Sequence, residues 1–528
     1  MALAATAVAL LPLGYLLLRT AEGGLPTWWE TVATERVARL TATSLLLALV
    51  VTLACLVIGV GSAWLVTRSN TPGRAPLAVL LALPLAVPSY VAAFTWVSVS
   101  DLWSADPGAR FEGFGAAALV LTLYTYPYVY LPVAAALARV DPSQEEVARS
   151  LGCGPWRTLT TVTLPQVRPA IAGGGLLAAL YVLADFGAVS ILRLDTFTRA
   201  IFTALSSGFN RSMALTLATV LVLLTLAILW GEGRTRRAGA RFSTATVSRP
   251  APALDLGPWR LVGTGTLALV VLTALGVPAL SLARWIAAGS SAGQAWDRIG
   301  GAAWGSLSAS LLGALLTVAL ALPVGLLAAR HPGRLSALLE RAAYLAHALP
   351  GVVVGLSLVF FGVTVALPLY QTTWLLALAY ASLFLPLAVA AVASAAAQAP
   401  PSLEEAAQSL GTSPARVFTR VTLPLTLPGI GAGAALVFLT AMKELPATLL
   451  LRPTGMETLA TRLWSATGIG RYAEAAPYAL LLVALAAIPT WVVVRRTGIV
   501  PAGAAGPLPG RAVPHPADPA PVEPVVSP

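Results

Sequence analysis

Three ionisable residues stand inside strongly apolar stretches, where they could bind an ion or pair with each other. Asp185 lies in the stretch 170–191, and Lys443 and Glu444 lie in the stretch 430–451. Charged groups are costly in lipid and usually face an aqueous path or the interior of a helix bundle. Carboxylates suit hard metal cations, but two carboxylates are too few to predict a metal site. An ion pair between Lys443 and Asp185 that holds two halves of the chain together is an equally good interpretation.

A second set of charged residues belongs to a polar repeat. The sequence DPSQEEVARSLGCGPWRTLTTVTLPQVRPAI at 141–171 returns as PPSLEEAAQSLGTSPARVFTRVTLPLTLPGI at 400–430 without a gap. The spacing S-x-x-E at Ser143 and again at Ser402 is typical of a capping box at a helix start. A polar repeat within an apolar chain indicates a surface that meets a soluble partner.

The same repeat predicts two short helices in each copy. A glycine stands where a left-handed residue would end the first helix, and a proline then fits the first turn of a second. These residues are Gly152 and Pro155 in the first copy and Gly411 and Pro414 in the second. Pro165 and Pro424 are expected to end the second helix. A capped connector would explain one such loop, but two loops with the same stops in the same register favour a docking element.

The composition predicts a membrane protein. Hydrophobic residues make up 57% of the 528 positions and charged residues only 10%, whereas soluble domains have about 25% charged residues. A span needs about 20 apolar residues. Twelve ranges qualify, near 2–18, 43–67, 77–99, 114–137, 170–191, 213–230, 261–283, 307–329, 343–368, 373–397, 430–451 and 475–494.

Six spans in each half place both copies of the repeat on one face of the membrane. The segments on that face contain 20 Arg against 10 Asp and Glu, while the rest contains 12 Arg and Lys443 against 12 acidic residues. The positive-inside rule therefore predicts that the repeats are cytoplasmic. The net charge of +11 follows from this topology, so no nucleic-acid partner is expected.

Other segments organise the chain around these spans. The first apolar range has no small-residue cleavage site leading into a soluble domain, so we interpret it as a retained helix and not as a signal peptide. Residues 232–258 form a basic linker, and residues 498–528 form a Pro/Ala-rich tail with a disordered composition. The stretch 28–40 suggests a short interfacial helix. Two separated cysteines and three separated histidines show no metal-ligand spacing.

The pattern Glu-Glu-x-Ala-x-x-Leu-Gly followed by Leu-Pro resembles the EAA motif of permease subunits of bacterial ATP-binding-cassette importers. In that family the motif forms the coupling helix, which lies in a cleft of an ATPase subunit. The resemblance implies ATPase coupling by Glu145, Glu146, Ala148 and Gly152, and by Glu404, Glu405, Ala406, Ala407 and Gly411. Val147 departs mildly from the usual alanine. The segments 183–198 and 442–460 resemble the ferric-iron group of these importers.

The resemblance implies an all-α fold with two six-helix halves related by a pseudo-twofold axis, the type I importer fold, with halves at 1–231 and 259–497 and coupling loops at 141–170 and 400–429. The only lysine, Lys443, follows a methionine, so the chain has no phosphate-binding loop of the Gly-Lys type. We therefore expect no catalytic residue, resident metal or cofactor in this chain. Two ATPase copies would dock on the cytoplasmic face of the inner membrane, with an extracytoplasmic iron-binding protein opposite.

Several alternatives remain open from the sequence. Thiamine is the second choice of cargo within the same class, with Asp185, Lys443 and Glu444 as tentative pathway residues in either case. A secondary transporter would also have internal repeats, but it has no need of two docking loops. A membrane enzyme is disfavoured because no polar cluster of catalytic residues stands at the inner face.

Overall fold

The computed structural model describes residues 1–102, 110–206, 210–236, 254–288, 292–331, 333–347 and 349–496. Within these ranges the regular structure is helical, apart from one isolated β-bridge. Nine helices there are long and apolar enough to cross a membrane, which agrees with the predicted class. They are Ala2–Glu22, Glu35–Arg68, Gly113–Arg139, Pro155–Ala184, Arg211–Gly231, Trp259–Ala287, Arg298–Arg330, Thr373–Gln398 and Pro414–Met442.

Two of the three other predicted ranges are divided into shorter helices. Arg74–Ala86 and Ser89–Val99 are bent by 97° at their junction, and Arg334–His347 is separated from Gly351–Thr364. Pro88 and Pro350 stand at these breaks with an extended ψ of 145°. Proline lacks an N–H and disfavours helical geometry in the residue before it. The predicted spans 77–99 and 343–368 are therefore each divided by a break at a proline. The twelfth range is occupied by Tyr472–Arg496.

Short helices connect the long ones. A short helix, Leu25–Val32, covers only the start of the interfacial helix predicted over 28–40, because residues 35–40 belong to the long helix Glu35–Arg68. Each polar repeat forms a short exposed helix, and each is followed by a long helix that leads into the bundle. The remaining short helices are Pro142–Ser150, Gly187–Ile191, Phe197–Ser206, Pro401–Ser409, Pro446–Leu451 and Leu459–Gly468.

The two halves interlock instead of forming separate cores. One apolar core combines the middle of the first half with residues of Trp259–Ala287 and Leu459–Gly468, and the other combines the middle of the second half with Ala2–Glu22 and Arg211–Arg236. The Tyr15 hydroxyl donates to the Phe360 carbonyl oxygen at 3.3 Å. The packing thus exchanges helices between the two predicted halves, 1–231 and 259–497. Most of the linker and the whole predicted tail lie outside the described residues.

Candidate coupling loops and central polar residues

The helix of the first repeat begins two residues earlier than the capping box at Ser143 predicts. Asp141 precedes Pro142–Ser150, and its carboxylate accepts hydrogen bonds from the Ser143 N–H at 3.0 Å and the Ser143 hydroxyl at 2.7 Å. These hydrogen bonds stabilise the ionised carboxylate and hold the pKa of Asp141 below its ordinary value, with the Ser143 N–H making the larger contribution and the Ser143 hydroxyl the smaller. Proline is favoured in the first helical position, so Ser143 lies inside the helix and the predicted capping box is wrong.

The second repeat likewise has no capping box. Its helix Pro401–Ser409 follows Pro400, which provides no side-chain cap. Ser402 therefore lies inside the helix, as Ser143 does in the first copy. The two loops share their helix positions but differ in how the helix start is stabilised, because only the first has a capping carboxylate.

The glycine stops are confirmed in both loops. Gly152 has φ +85° and Gly411 has φ +81°. The residue after each glycine donates its N–H back across the turn, Cys153 to the Ala148 oxygen at 3.0 Å and Thr412 to the Ala407 oxygen at 3.1 Å. Positive φ is costly for residues with a Cβ. Pro155 and Pro414 then occupy the first turn of the next helix, as predicted.

Pro165 and Pro424 do not end a helix, contrary to the prediction. A five-residue π-helical turn, Leu159–Thr163 or Phe418–Thr422, precedes each of them. Leu164 donates its N–H five residues back to the Leu159 oxygen, which widens the helix just before the proline. Such π-turns relieve the clash of the proline ring with the preceding turn. The helix therefore continues from the loop into the membrane bundle.

Glu145 faces inward and connects the first loop to the bundle. Its carboxylate lies 3.4 Å from the Arg68 guanidinium and accepts the Thr163 hydroxyl at 2.8 Å, with Arg149 at 3.8 Å. Arg68 also donates to the Leu137 oxygen at 2.8 Å. Both charged side chains of the Arg68–Glu145 pair are buried. The pair joins the loop to the last residue of the helix Glu35–Arg68.

Glu404 makes the corresponding contact in the second loop. Arg330, the last residue of its long helix, lies 2.6 Å from Glu404 and donates to the Ala399 oxygen at 3.0 Å. Glu146 and Glu405, the second residue of each Glu pair, are exposed. In each loop the first glutamate therefore forms an internal ion pair, and the second faces outward. Arg68 and Arg330 could have been found in the sequence, since each ends an apolar stretch shortly before a Pro-Gly-Arg triplet.

The outward surface of each loop includes large apolar side chains that the sequence interpretation did not single out. Leu151 is 78% exposed and Leu410, at the same register, is 85% exposed. Trp156 in the first loop is 76% exposed. Of the small residues of the motif, Ala406 is exposed, whereas Ala148 and Ala407 are half-buried. Exposed apolar residues beside charged ones are typical of interaction surfaces.

Asp185 and Glu444 stand at breaks between helices and not within continuous ones. Pro155–Ala184 ends directly before Asp185, whose carboxylate accepts the N–H groups of Ala188 at 3.0 Å and Val189 at 3.3 Å. The Glu444 carboxylate likewise accepts the N–H groups of Ala447 and Thr448, each at 3.0 Å. Both carboxylates therefore cap a short helix. The predicted spans 170–191 and 430–451 are therefore interrupted at these two residues.

Lys443 connects the two halves through a carbonyl group. Its ammonium group donates to the Leu85 oxygen at 3.3 Å, and Leu85 belongs to the first half. Among the described residues no ion pair joins Lys443 to Asp185, so that alternative is not what the structure contains. The same described ranges hold no group of three or more His, Cys, Asp or Glu that could bind a metal ion.

Two stretches of the chain, residues 55–232 and 321–496, match the family described as binding-protein-dependent transport system inner membrane component. The chain belongs to this family. The two matches place one family unit in each half, with a polar repeat inside each unit. The protein is therefore an inner-membrane permease of the ATP-binding-cassette importer class, with the type I fold duplicated in one chain.

Relatives differ in how much of the chain they match. The Fe(3+)-transport system permease protein FbpB 2 of Haemophilus influenzae is 39% identical over 487 residues, which cover 91% of this chain and 94% of that protein. The sulfate transport system permease protein CysT of Escherichia coli is 29% identical over 237 residues, 42% of this chain and 85% of that protein. These relatives are transport permeases, so the chain is a transport subunit. The sulfate relative corresponds to one half only.

Proposed function

We propose that this permease moves ferric iron inward across the cytoplasmic membrane by alternating access. The observation that carries the proposal is the similarity to an Fe(3+)-transport permease along nearly the whole of both chains. The sulfate permease matches only about half of this chain at lower identity. A duplicated permease in one chain is thus shared with the iron relative, and we assign the cargo accordingly.

Energy for this movement comes from a separate ATPase. The chain has no Gly-Lys phosphate-binding loop, because its only lysine is Lys443. Two loops with the same helix stops imply two ATPase copies, one on each loop, on the cytoplasmic face. An iron-binding protein delivers the cargo from the opposite face.

Two ion pairs, one buried and one partly buried, provide the mechanical connection. Arg68–Glu145 and Arg330–Glu404 each join a loop helix to the end of a long membrane helix. The π-turns also let each loop continue directly into the helix that ends at Asp185 or before Glu444. A displacement of the loop by the ATPase is therefore passed to the helices at the centre of the bundle.

We propose Asp185, Lys443 and Glu444 as residues of the translocation pathway. Asp185 and Glu444 occupy matching helix breaks in the two halves, and Lys443 contacts the opposite half. Two carboxylates and one ammonium group leave an excess of negative charge, which favours a cation over an anion. The capping bonds orient both carboxylates, so iron would meet groups that are already held in place.

Substitution by the matching amide separates a pathway role from a capping role. Asparagine caps helices about as well as aspartate, and both N–H groups at Asp185 bond to one oxygen, so Asp185→Asn should preserve folding. Glu444→Gln keeps only one of the two oxygens that accept N–H groups, so thermal unfolding and ATPase binding of the double variant are measured alongside uptake. If the charges serve transport, uptake of radiolabelled ferric iron should fall at least tenfold. Asp195→Asn, which alters an exposed carboxylate, is the matched control. Normal iron uptake in the double variant would remove these residues from the pathway, and uptake of sulfate or thiamine without iron would refute the assigned cargo.

A further inference from the structure

We infer that the two loops are unequal docking sites, and that the end of the inter-half linker positions the first loop for the tighter contact with the ATPase. This inference rests on the proposed function, since it concerns how the same loops meet the same partner. Its basis is a contact made by residues 254–256, which is present beside the first loop and has no counterpart in the described residues beside the second.

The linker end is bound to the turn that follows the helix Glu35–Arg68. Leu254 donates its N–H to the Arg68 oxygen at 2.8 Å, and Asn70 donates its N–H to the Leu254 oxygen at 3.1 Å, which forms a parallel bridge. The Asn70 side-chain amide accepts the Leu256 N–H at 3.1 Å and donates to the Asp255 carboxylate. We call this set of bonds the linker contact. It uses both polar atoms of the Asn70 side chain.

The linker contact meets the Arg68–Glu145 pair at a single residue. The backbone of Arg68 binds Leu254, while its side chain binds Glu145 of the loop. Leu254 also lines a small cavity together with Arg68, Glu145 and Arg149. Fixing the Arg68 backbone restricts the position of its guanidinium, and therefore the position of the first loop.

The second half differs at this place in its sequence. Four residues separate Arg68 from Gly73, but only two separate Arg330 from Gly333. The shorter sequence includes a proline, Pro332, and proline has no backbone N–H to donate. In the described part of the chain, the groove beside Arg330 and Glu404 is open and is lined by Leu327, Val417 and Phe418.

The loops also differ in the side chains they expose. Leu151 and Leu410 are equivalent, but the residue at Trp156 in the first loop is Ala415 in the second, and Val147 corresponds to Ala406. Tryptophan is strongly enriched among the residues that dominate binding energy at interfaces. A loop that is already held in place also loses less conformational entropy when it binds. Both features favour the first loop as the tighter site.

The matched leucines give the sharpest test. Purified permease variants in nanodiscs are titrated with the purified ATPase that co-purifies with the wild-type chain. Leu151→Ala should weaken binding about tenfold or more, and Leu410→Ala less than about threefold, although Leu410 is the more exposed of the two. Trp156→Ala should also weaken binding about tenfold. Trp304→Ala should leave binding unchanged, because this exposed tryptophan lies 26 residues before Arg330, the loop-side end of its helix.

The linker contact is tested separately by Asn70→Ala, which should weaken ATPase binding about threefold or more. In a Cys153→Ser background, Asn70→Cys with Asp255→Cys should bind weakly when reduced and recover when oxidised, because a disulfide replaces the lost bonds. Equal effects of the two leucine substitutions, or unchanged binding in Asn70→Ala, would overturn the inference while leaving the proposed function intact. A wild-type chain that binds no ATPase would instead refute the proposed function.

Discussion

Replacing Gly152 with alanine should impair coupling through backbone strain alone. Gly152 has φ +85°, and a Cβ built on it meets no atom within 4 Å. No steric clash contributes, so the cost is the left-handed conformation itself, about 1–2 kcal/mol. That penalty lowers the population of the native turn by a factor of about 5–30 relative to alternative turns. The membrane bundle should not be affected, because the turn lies at the exposed surface.

Gly154 provides a matched control two residues away. Its φ is −66° and a Cβ there also meets no atom within 4 Å, so Gly154→Ala introduces no left-handed strain. Its cost is limited to the lower preference for alanine at the N-cap position, and it should lower stimulation less than Gly152→Ala. The assay is ATPase activity stimulated by the reconstituted permease, with thermal unfolding of the permease measured alongside. Gly152→Ala should lower stimulation several-fold at an unchanged unfolding temperature, and Gly411→Ala should act in the same direction. Equal stimulation in Gly152→Ala and Gly154→Ala would show that the turn geometry does not matter for coupling.

Three further predictions follow from the loops. Arg68→Met leaves the Glu145 carboxylate without its main partner and should lower the free energy of unfolding by about 3–5 kcal/mol. The control Arg39→Met, which removes one partner of an exposed pair, should cost less than about 1 kcal/mol. Combining Arg68→Met with Glu145→Leu should recover much of the lost stability in the same unfolding experiments. Asp141→Ala should cost its helix about 0.5–2 kcal/mol and raise amide hydrogen exchange over 142–150 but not over 401–409; uniform exchange would contradict the capping role. Cysteines placed at Ser143 and Ser402 should resist impermeant thiol reagents in intact cells while one at Thr454 reacts, and the reverse pattern would invert the proposed orientation.

The glycine stops in the repeat and the all-helical class could be predicted from the sequence, because both depend on properties of residues close together in the chain. Hydropathy marks the apolar ranges, and the positive φ at Gly152 and Gly411 follows from the preference of glycine for that conformation. The helix breaks at Asp185 and Glu444 do not follow from hydropathy, because largely apolar residues continue beyond each break; Pro446 is the one local signal that could have marked the second break. Hydropathy alone does not distinguish a crossing helix from two shorter ones.

The errors in the loop also have a common cause. The capping box at Ser143 and the helix stop at Pro165 are each predicted from a short local pattern. In the structure, neighbouring residues decide where the helix begins and whether it ends. Asp141 and Pro142 start the helix earlier, and the π-turn before Pro165 lets the helix continue. The Arg68–Glu145 pair joins residues 77 positions apart, and such pairing requires knowledge of how the helices pack.

The central claim is that this chain imports ferric iron with energy from an ATPase bound to its two loops. The most direct test is uptake of radiolabelled ferric iron into proteoliposomes that contain the wild-type permease, its co-purified ATPase and the iron-loaded binding protein. We expect uptake that requires ATP, with two ATPase copies per permease, and that is lost in Gly152→Ala with Gly411→Ala. Iron uptake that proceeds equally well without ATP or without the ATPase would contradict the account.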